Sequence, residues 1–80
     1  MTVTLLLFAS YADALGASSL DMELSSEATV GELLSAIRTR PGAERLPPKP
    51  LVAVNQAYAS LGRVLCAGDE VALIPPVAGG

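Results

Sequence analysis

The sequence contains no histidine. Imidazole is the usual general base and metal ligand near neutral pH. Its absence excludes the common nucleophile-plus-histidine pairs and histidine-based metal sites. Only one cysteine, Cys66, is present, so no disulfide can form within the chain. That cysteine usage fits a reducing compartment, and a cytoplasmic location is expected. Cys66 follows Leu65 in an apolar context, which predicts a buried and inert thiol. The aromatics are limited to Phe8, Tyr11 and Tyr58, and there is no basic run. Without a stacking array or a cationic stripe, a nucleic-acid partner is not expected. No apolar stretch approaches the length of a transmembrane helix. Met1-Thr2-Val3-Thr4 lacks the basic region of a signal peptide. Glycine-rich phosphate loops and metal-ligand spacings are missing too, so neither a bound cofactor nor a metal is expected.

What the chain has in surplus is apolar residues. They make up 51% of the 80 residues, mean hydropathy is +0.50, and only 16% are charged. Typical soluble domains are about 25% charged. A chain of this length forms one domain. It buries only about 60–65% of its surface. So much apolar side chain on so little interior predicts an exposed patch, and such patches mark partner surfaces. The net charge of −3 favours a basic partner. The acidic pairs Asp21/Glu23 and Asp69/Glu70 are the remaining candidates for acid–base chemistry. Asp21 and Glu23 share the wet face of a strand, where a solvated surface places its charges. Asp69 follows Gly68 and suits a turn in which its carboxylate bonds nearby amides.

The apolar periodicity predicts the elements. Thr2 to Ala9 alternates and reads as a strand, with both faces apolar from Leu5 onward. That pattern argues for an interior strand, covered on both sides or lying at one end beneath a partner. Ser10 to Gly16 breaks the pattern, with room for one short helical turn. Leu20, Met22 and Leu24 alternate with Ser19, Asp21 and Glu23 as a second strand, pairing with the first in a wide hairpin. Thr29 is an N-cap and Glu32 completes a capping box. Val30, Leu33, Leu34 and Ile37 form one helical stripe. Arg38 and Arg40 suit the helix C-terminus, and Pro41-Gly42 ends it. After a proline-rich loop, Leu51 to Val54 reads as a strand and Asn55-Gln56 as a turn. Tyr58 to Leu61 reads as a short edge piece, and Glu70 to Ile74 as the last strand. One main helix covering a mixed sheet is an α+β arrangement.

The chain ends Val77-Ala78-Gly79-Gly80, just past the last strand and Pro75-Pro76. A terminal Gly-Gly arises by chance about once in 200 chains, so its position after a strand and a proline brake adds weight. Proline fixes φ, supplies no amide donor and disfavours continuing the sheet. Gly79 adds backbone freedom and Gly80 presents an unhindered carboxylate. The expected organisation is a folded body over residues 1–76 and a flexible Gly-Gly arm over residues 77–80. A carboxylate becomes reactive once activated, for example as an acyl-adenylate. It can then accept sulfur, to give a thiocarboxylate, or an amine.

The run from Ala67-Gly68-Asp69-Glu70-Val71-Ala72-Leu73-Ile74 through Pro75-Pro76-Val77-Ala78-Gly79-Gly80 resembles the C-terminus of the small, sulfur-carrying subunits of molybdopterin synthase. Val54-Asn55-Gln56, Leu7-Phe8-Ala9 and the total length are similar as well. The resemblance implies a β-grasp, ubiquitin-like fold, in agreement with the element order. It implies that an ATP-using activating enzyme adenylates Gly80 and that a sulfurtransferase supplies the sulfur of a thiocarboxylate. It further implies that Val77, Ala78 and Gly79 thread into the large subunit of a heterotetrameric synthase. There Gly80 would deliver sulfur to cyclic pyranopterin monophosphate. Phe8, Ile74, Pro75 and Pro76 match interface positions of that family, although the family often carries an aromatic where this chain has Ile74. Two other readings remain open on the residues. One is a sulfur carrier for thiamine, cysteine or a specialised metabolite. The other is a ubiquitin-like modifier or adaptor.

Overall fold

The structure, a computed structural model, describes residues 1–75. Strand β1 (Thr2–Leu7) follows the period-two pattern, burying Val3, Leu5 and Leu7 on one face. Strand β2 (Ser19–Glu23) pairs with it antiparallel, setting Leu20 opposite Leu5 and Met22 opposite Val3. The expected hairpin is present. Its connection is more structured than expected, because helix α1 (Ala9–Leu15) fills it. The strand therefore stops at Leu7 rather than Ala9. Phe8 becomes the N-cap of α1, and Gly16 closes the helix in the left-handed conformation with φ 74.

Helix α2 (Val30–Ile37) starts as its sequence dictates. The Thr29 hydroxyl accepts the Glu32 amide N–H at 3.2 Å, satisfying one of the unpaired donors of the first turn. Val30, Leu33, Leu34 and Ile37 are all buried. The helix ends at Ile37, short of Arg40, with Arg38 as its C-cap. Arg38 does more than complement the helix dipole. Its guanidinium donates to the carbonyls of Leu46 (3.4 Å) and Pro48 (2.9 Å), and to that of Pro47 between them. The proline-rich loop has few amides of its own to donate, so this one side chain satisfies much of its backbone.

Strands β3 (Leu51–Val54), β4 (Ala57–Tyr58) and β5 (Glu70–Ile74) complete a five-stranded sheet in the order β2-β1-β5-β3-β4. β1 and β5 run parallel at the centre, and the other pairs are antiparallel. Asn55 (φ 50) and Gln56 (φ 72) make the tight turn between β3 and β4, both left-handed as a type I′ turn requires. The edge piece is therefore Ala57–Tyr58, ahead of the expected Tyr58–Leu61. Val3, Leu5, Leu7, Val52, Val54, Val71 and Leu73 of the sheet pack with the α2 stripe into one core.

Two local contacts hold the ends of this arrangement. Gly42 has φ 91, and a Cβ at that position would lie 1.8 Å from the Ala14 carbonyl oxygen. The backbone of α1 thus sits against the turn after α2, where only glycine fits. At the start of β5, Asp69 accepts the Cys66 N–H at 2.8 Å and the Asn55 Nδ2–H at 3.0 Å. Asn55 Oδ1 in turn accepts the Glu70 N–H at 3.0 Å. The role expected of Asp69 as a turn residue is borne out. These bonds tie the β3–β4 turn to the first residue of β5.

Cys66 departs from expectation. It is exposed, not buried. Leu65 takes the inward position (2% exposed), and the Cys66 backbone is committed to Asp69 in the turn that follows. The thiol therefore faces outward.

Two substitutions test these contacts. Gly42→Ala places a methyl against backbone and a left-handed φ on a residue with a Cβ. It lowers stability by more than about 2 kcal/mol, read as a fall in Tm of roughly 10 °C or more. For Asp69, the Cys66 N–H first and Asn55 second hold the carboxyl below the usual range, with a smaller contribution from Arg63. The lowered value in the folded state means that its contribution is present above about pH 4, the unfolded value. That contribution is lost as pH falls through the folded value. Asp69→Ala costs about 0.5–1 kcal/mol at pH 7, since solvent screens this exposed carboxylate. Urea titrations from pH 7 to pH 2 show the gap closing only below about pH 4.

Candidate functional site

The sheet has one face on the core and one left open. Thr4 and Leu6 of β1, Glu70, Ala72 and Ile74 of β5, and Leu51 and Ala53 of β3 alternate onto the open face. The register sets them side by side. Leu6 lies beside Ala72, Ala72 beside Ala53, and Ala53 beside Tyr58, while Ile74 lies beside Leu51. The result is an apolar row crossing four strands, opening into a groove of about 440 Å³ floored by Ala72 and Ala53. Phe8, Leu51 and Tyr58 stand on this surface at 49%, 55% and 75% exposure. The exposed apolar patch expected from composition is therefore real. It occupies the face opposite α2.

Parallel pairing gives this face a direction. Leu7 is in register with Leu73, so Phe8 and Ile74 reach the same end of the sheet. Pro75 follows at once and is half-buried. The structure thus gathers Phe8, Ile74 and Pro75, three of the expected interface residues, where the chain leaves β5. Pro76, the fourth, lies outside the described residues, as do Val77, Ala78, Gly79 and Gly80.

Phe8 is a poor local choice for its place. At the helix N-cap, Ser, Thr, Asp and Asn are preferred because their side chains accept a first-turn N–H. Phe8 makes no such bond, and no acid lies in the first turn of α1. The next residue, Ala9, has φ 48, a left-handed conformation that costs a residue with a Cβ roughly 1–2 kcal/mol. A large apolar side chain is thus held half in water, at a position where a small polar one would suit the backbone better. Such a conflict between a residue and its local backbone makes Phe8 a candidate for a role beyond the fold of α1.

Sequence reasoning named Phe8 and Ile74 but missed Leu6, Leu51, Ala53, Tyr58 and Ala72. The alternation of Leu6 with Phe8 and of Ala72 with Ile74 was the available signal. Which phase faces outward depends on the strand order. The acidic pairs do not converge. Asp21 sits opposite Thr4 near the β2 edge, and Glu23 bonds the Thr2 hydroxyl. Asp69 is committed to its turn. Among the described residues, no group of three metal-ligating side chains comes together. No helix among them is long and apolar enough to cross a membrane.

Comparison with known proteins agrees with this geometry. A family model, that of the ThiS family, matches residues 5–80. Small archaeal modifier protein 1 of Haloferax volcanii is 36% identical over 83 residues, covering 92% of this chain and 95% of that protein. A crystal structure of that protein superposes with a TM-score of 0.87 at 31% identity, covering all of both chains. The human molybdopterin synthase sulfur carrier subunit is 38% identical over 82 residues, covering 98% of this chain and 93% of the human one. A ubiquitin from Caldiarchaeum subterraneum shares the fold at a TM-score of 0.66 and 21% identity, covering 100% and 98% of the two chains. The fold is β-grasp and ubiquitin-like, as the resemblance of the C-terminal run implies.

Phe8→Asp replaces an exposed apolar group by a better helix cap, so Tm holds at or above that of the wild type. The same variant binds less of a hydrophobic dye. A substantial loss of Tm would show that Phe8 is kept for packing within the domain.

Proposed function

The chain belongs to the ThiS family, and from that premise we propose that it is the sulfur-carrier subunit of a molybdopterin synthase. One observation carries the reading above the others. The apolar open face ends where β5 passes the chain to Pro75, so a partner seated there receives whatever follows. The 38% identity to the human sulfur carrier subunit, over 98% of this chain, supports the choice of pathway. In this reading an activating enzyme uses ATP to convert the Gly80 carboxylate to an acyl-adenylate, releasing pyrophosphate. The terminal sulfur of a sulfurtransferase persulfide attacks the acyl carbon and AMP leaves; a thiol reductant then cleaves the S–S bond of the resulting acyl disulfide and frees the thiocarboxylate. The large synthase subunit docks on the open sheet face through Phe8, Ile74 and their neighbours, and Val77 to Gly80 enter its active site. The thiocarboxylate then gives its sulfur to cyclic pyranopterin monophosphate. The groups that bind the pterin belong to the partner.

A second reading is favoured by the 36% identity to small archaeal modifier protein 1. There the same activated Gly80 meets an amine instead of sulfur, and the product is an isopeptide. The two readings share the fold, the open face and the activation step. They part at the nucleophile.

The decisive test is the intact mass after incubation with ATP, a sulfurtransferase with its sulfur source, a thiol reductant and a molybdenum-pathway activating enzyme. The expected gain equals one sulfur in place of one oxygen, localised to Gly80. With the large subunit and pterin precursor added, the sulfur returns to product and the mass reverts. A chain lacking Gly80 fails both steps, and cofactor synthesis by that truncation would defeat the carrier reading. Phe8→Asp weakens binding to the large subunit by about 2–4 kcal/mol, as expected for a central anchor. Unchanged binding of the folded variant would place the interface elsewhere.

A further inference from the structure

The sequence holds a single lysine, Lys49. Resting on the modifier reading, we propose that Lys49 is the acceptor through which one copy of this chain is joined to the Gly80 carboxyl of another.

An isopeptide needs a primary amine, and this chain offers two, the amino terminus and Lys49 Nζ. The first is engaged. Met1 N donates to the Leu24 carbonyl at 2.7 Å and lies 4.0 Å from the Glu23 carboxylate. Only 10% of the Met1 side chain is exposed, at the end of the β1–β2 pair. An acyl group arriving there would have to break into that pairing. Lys49 is the reverse case. It is exposed, and among the described residues no carboxylate lies within ion-pairing distance of it.

The backbone that presents Lys49 is fixed. Pro48 and Pro50 flank it and restrict φ on both sides. Pro50 is buried, and Arg38 holds the Pro47 and Pro48 carbonyls. The restrained backbone fixes where the lysine stem starts, so only its side-chain rotamers need ordering when an acyl donor arrives. A groove of about 210 Å³ opens beside the lysine, floored by Gly31 and Leu34 and walled by Leu61 and Pro48. Its apolar floor suits a tail of small residues such as Val77-Ala78-Gly79-Gly80. Charge favours the approach as well. Arg38, Arg40, Arg45 and Lys49 lie close in the sequence with only Glu44 as a carboxylate between them, in a chain of net charge −3. The basic loop of the acceptor copy therefore attracts the acidic body of the donor copy.

The chemistry balances. ATP and an adenylating enzyme convert the donor Gly80 carboxylate to an acyl-adenylate and pyrophosphate. The Lys49 Nζ lone pair attacks the acyl carbon and forms the C–N bond. The bond from the acyl carbon to the AMP oxygen breaks, AMP leaves, and the nitrogen gives up one proton to solvent. No oxidant or reductant is needed.

The test uses the full chain with ATP and an adenylating enzyme, in a reaction where pyrophosphate release shows Gly80 to be activated. Nα-acetyl-lysine amide serves as a generic acceptor in a parallel sample. The expected result is a covalent dimer stable to reductant, with tandem mass spectra joining Gly80 to Lys49. Lys49→Arg, which keeps the charge and the exposed position, lowers the dimer at least tenfold while pyrophosphate release is unchanged. Dimer that persists in Lys49→Arg, or that maps to Met1, overturns the assignment. Conjugation to acetyl-lysine amide without any dimer leaves the modifier reading standing and overturns Lys49 as acceptor. No amide product with either acceptor, while thiocarboxylate forms on addition of a sulfur source, overturns both together.

Discussion

The parallel pairing of β1 with β5 is the constraint on which the rest depends. It brings the first and last strands of the chain together at the centre of the sheet. Leu5 beside Val71 and Leu7 beside Leu73 seal the core face, and fully burying side chains of this size is worth about 1.5–3 kcal/mol each. The same register sets Leu6 beside Ala72 on the opposite face. A shift by one residue would turn the core set outward and scatter the open-face row. Because the strands are parallel, the end of β1 and the end of β5 coincide. Phe8 and Ile74 line one groove for that reason, though they are far apart in sequence.

That geometry separates stability from recognition. The core face and α2 stripe supply the apolar burial that an 80-residue domain can muster. The open face keeps its apolar residues in water at some cost. At Phe8 and Ala9 the cost is visible in the backbone, as an uncapped helix start and a left-handed alanine.

Much of the fold was legible because local signals agreed with tertiary packing. Thr29, the Val30-Leu33-Leu34-Ile37 spacing and the alternation of β1, β2 and β5 each pointed to one answer. Helix α1 was underread, since Phe8 and Ala9 give no start signal and its packing on the turn at Gly42 joins distant residues. Pro41-Gly42 was legible as a helix stop, but not as the close approach to Ala14. Cys66 was misread because apolar neighbours say nothing of which one faces inward, and Leu65 takes that place. Arg38 was read as a dipole partner, whereas its guanidinium holds a loop up to ten residues away. Of the site, Phe8 and Ile74 could be named from the motif. The row they join needed the strand order, which no local pattern contains.

The central claim is that the open sheet face is the partner surface. Amide chemical shifts of labelled chain, recorded as the large subunit of a molybdopterin synthase is added, test it most directly. The account predicts shifts concentrated at Leu6, Phe8, Ala53, Tyr58, Ala72 and Ile74, with α2 and the loop around Lys49 unmoved. Shifts confined to α2 and that loop, with the sheet residues unchanged, would contradict it.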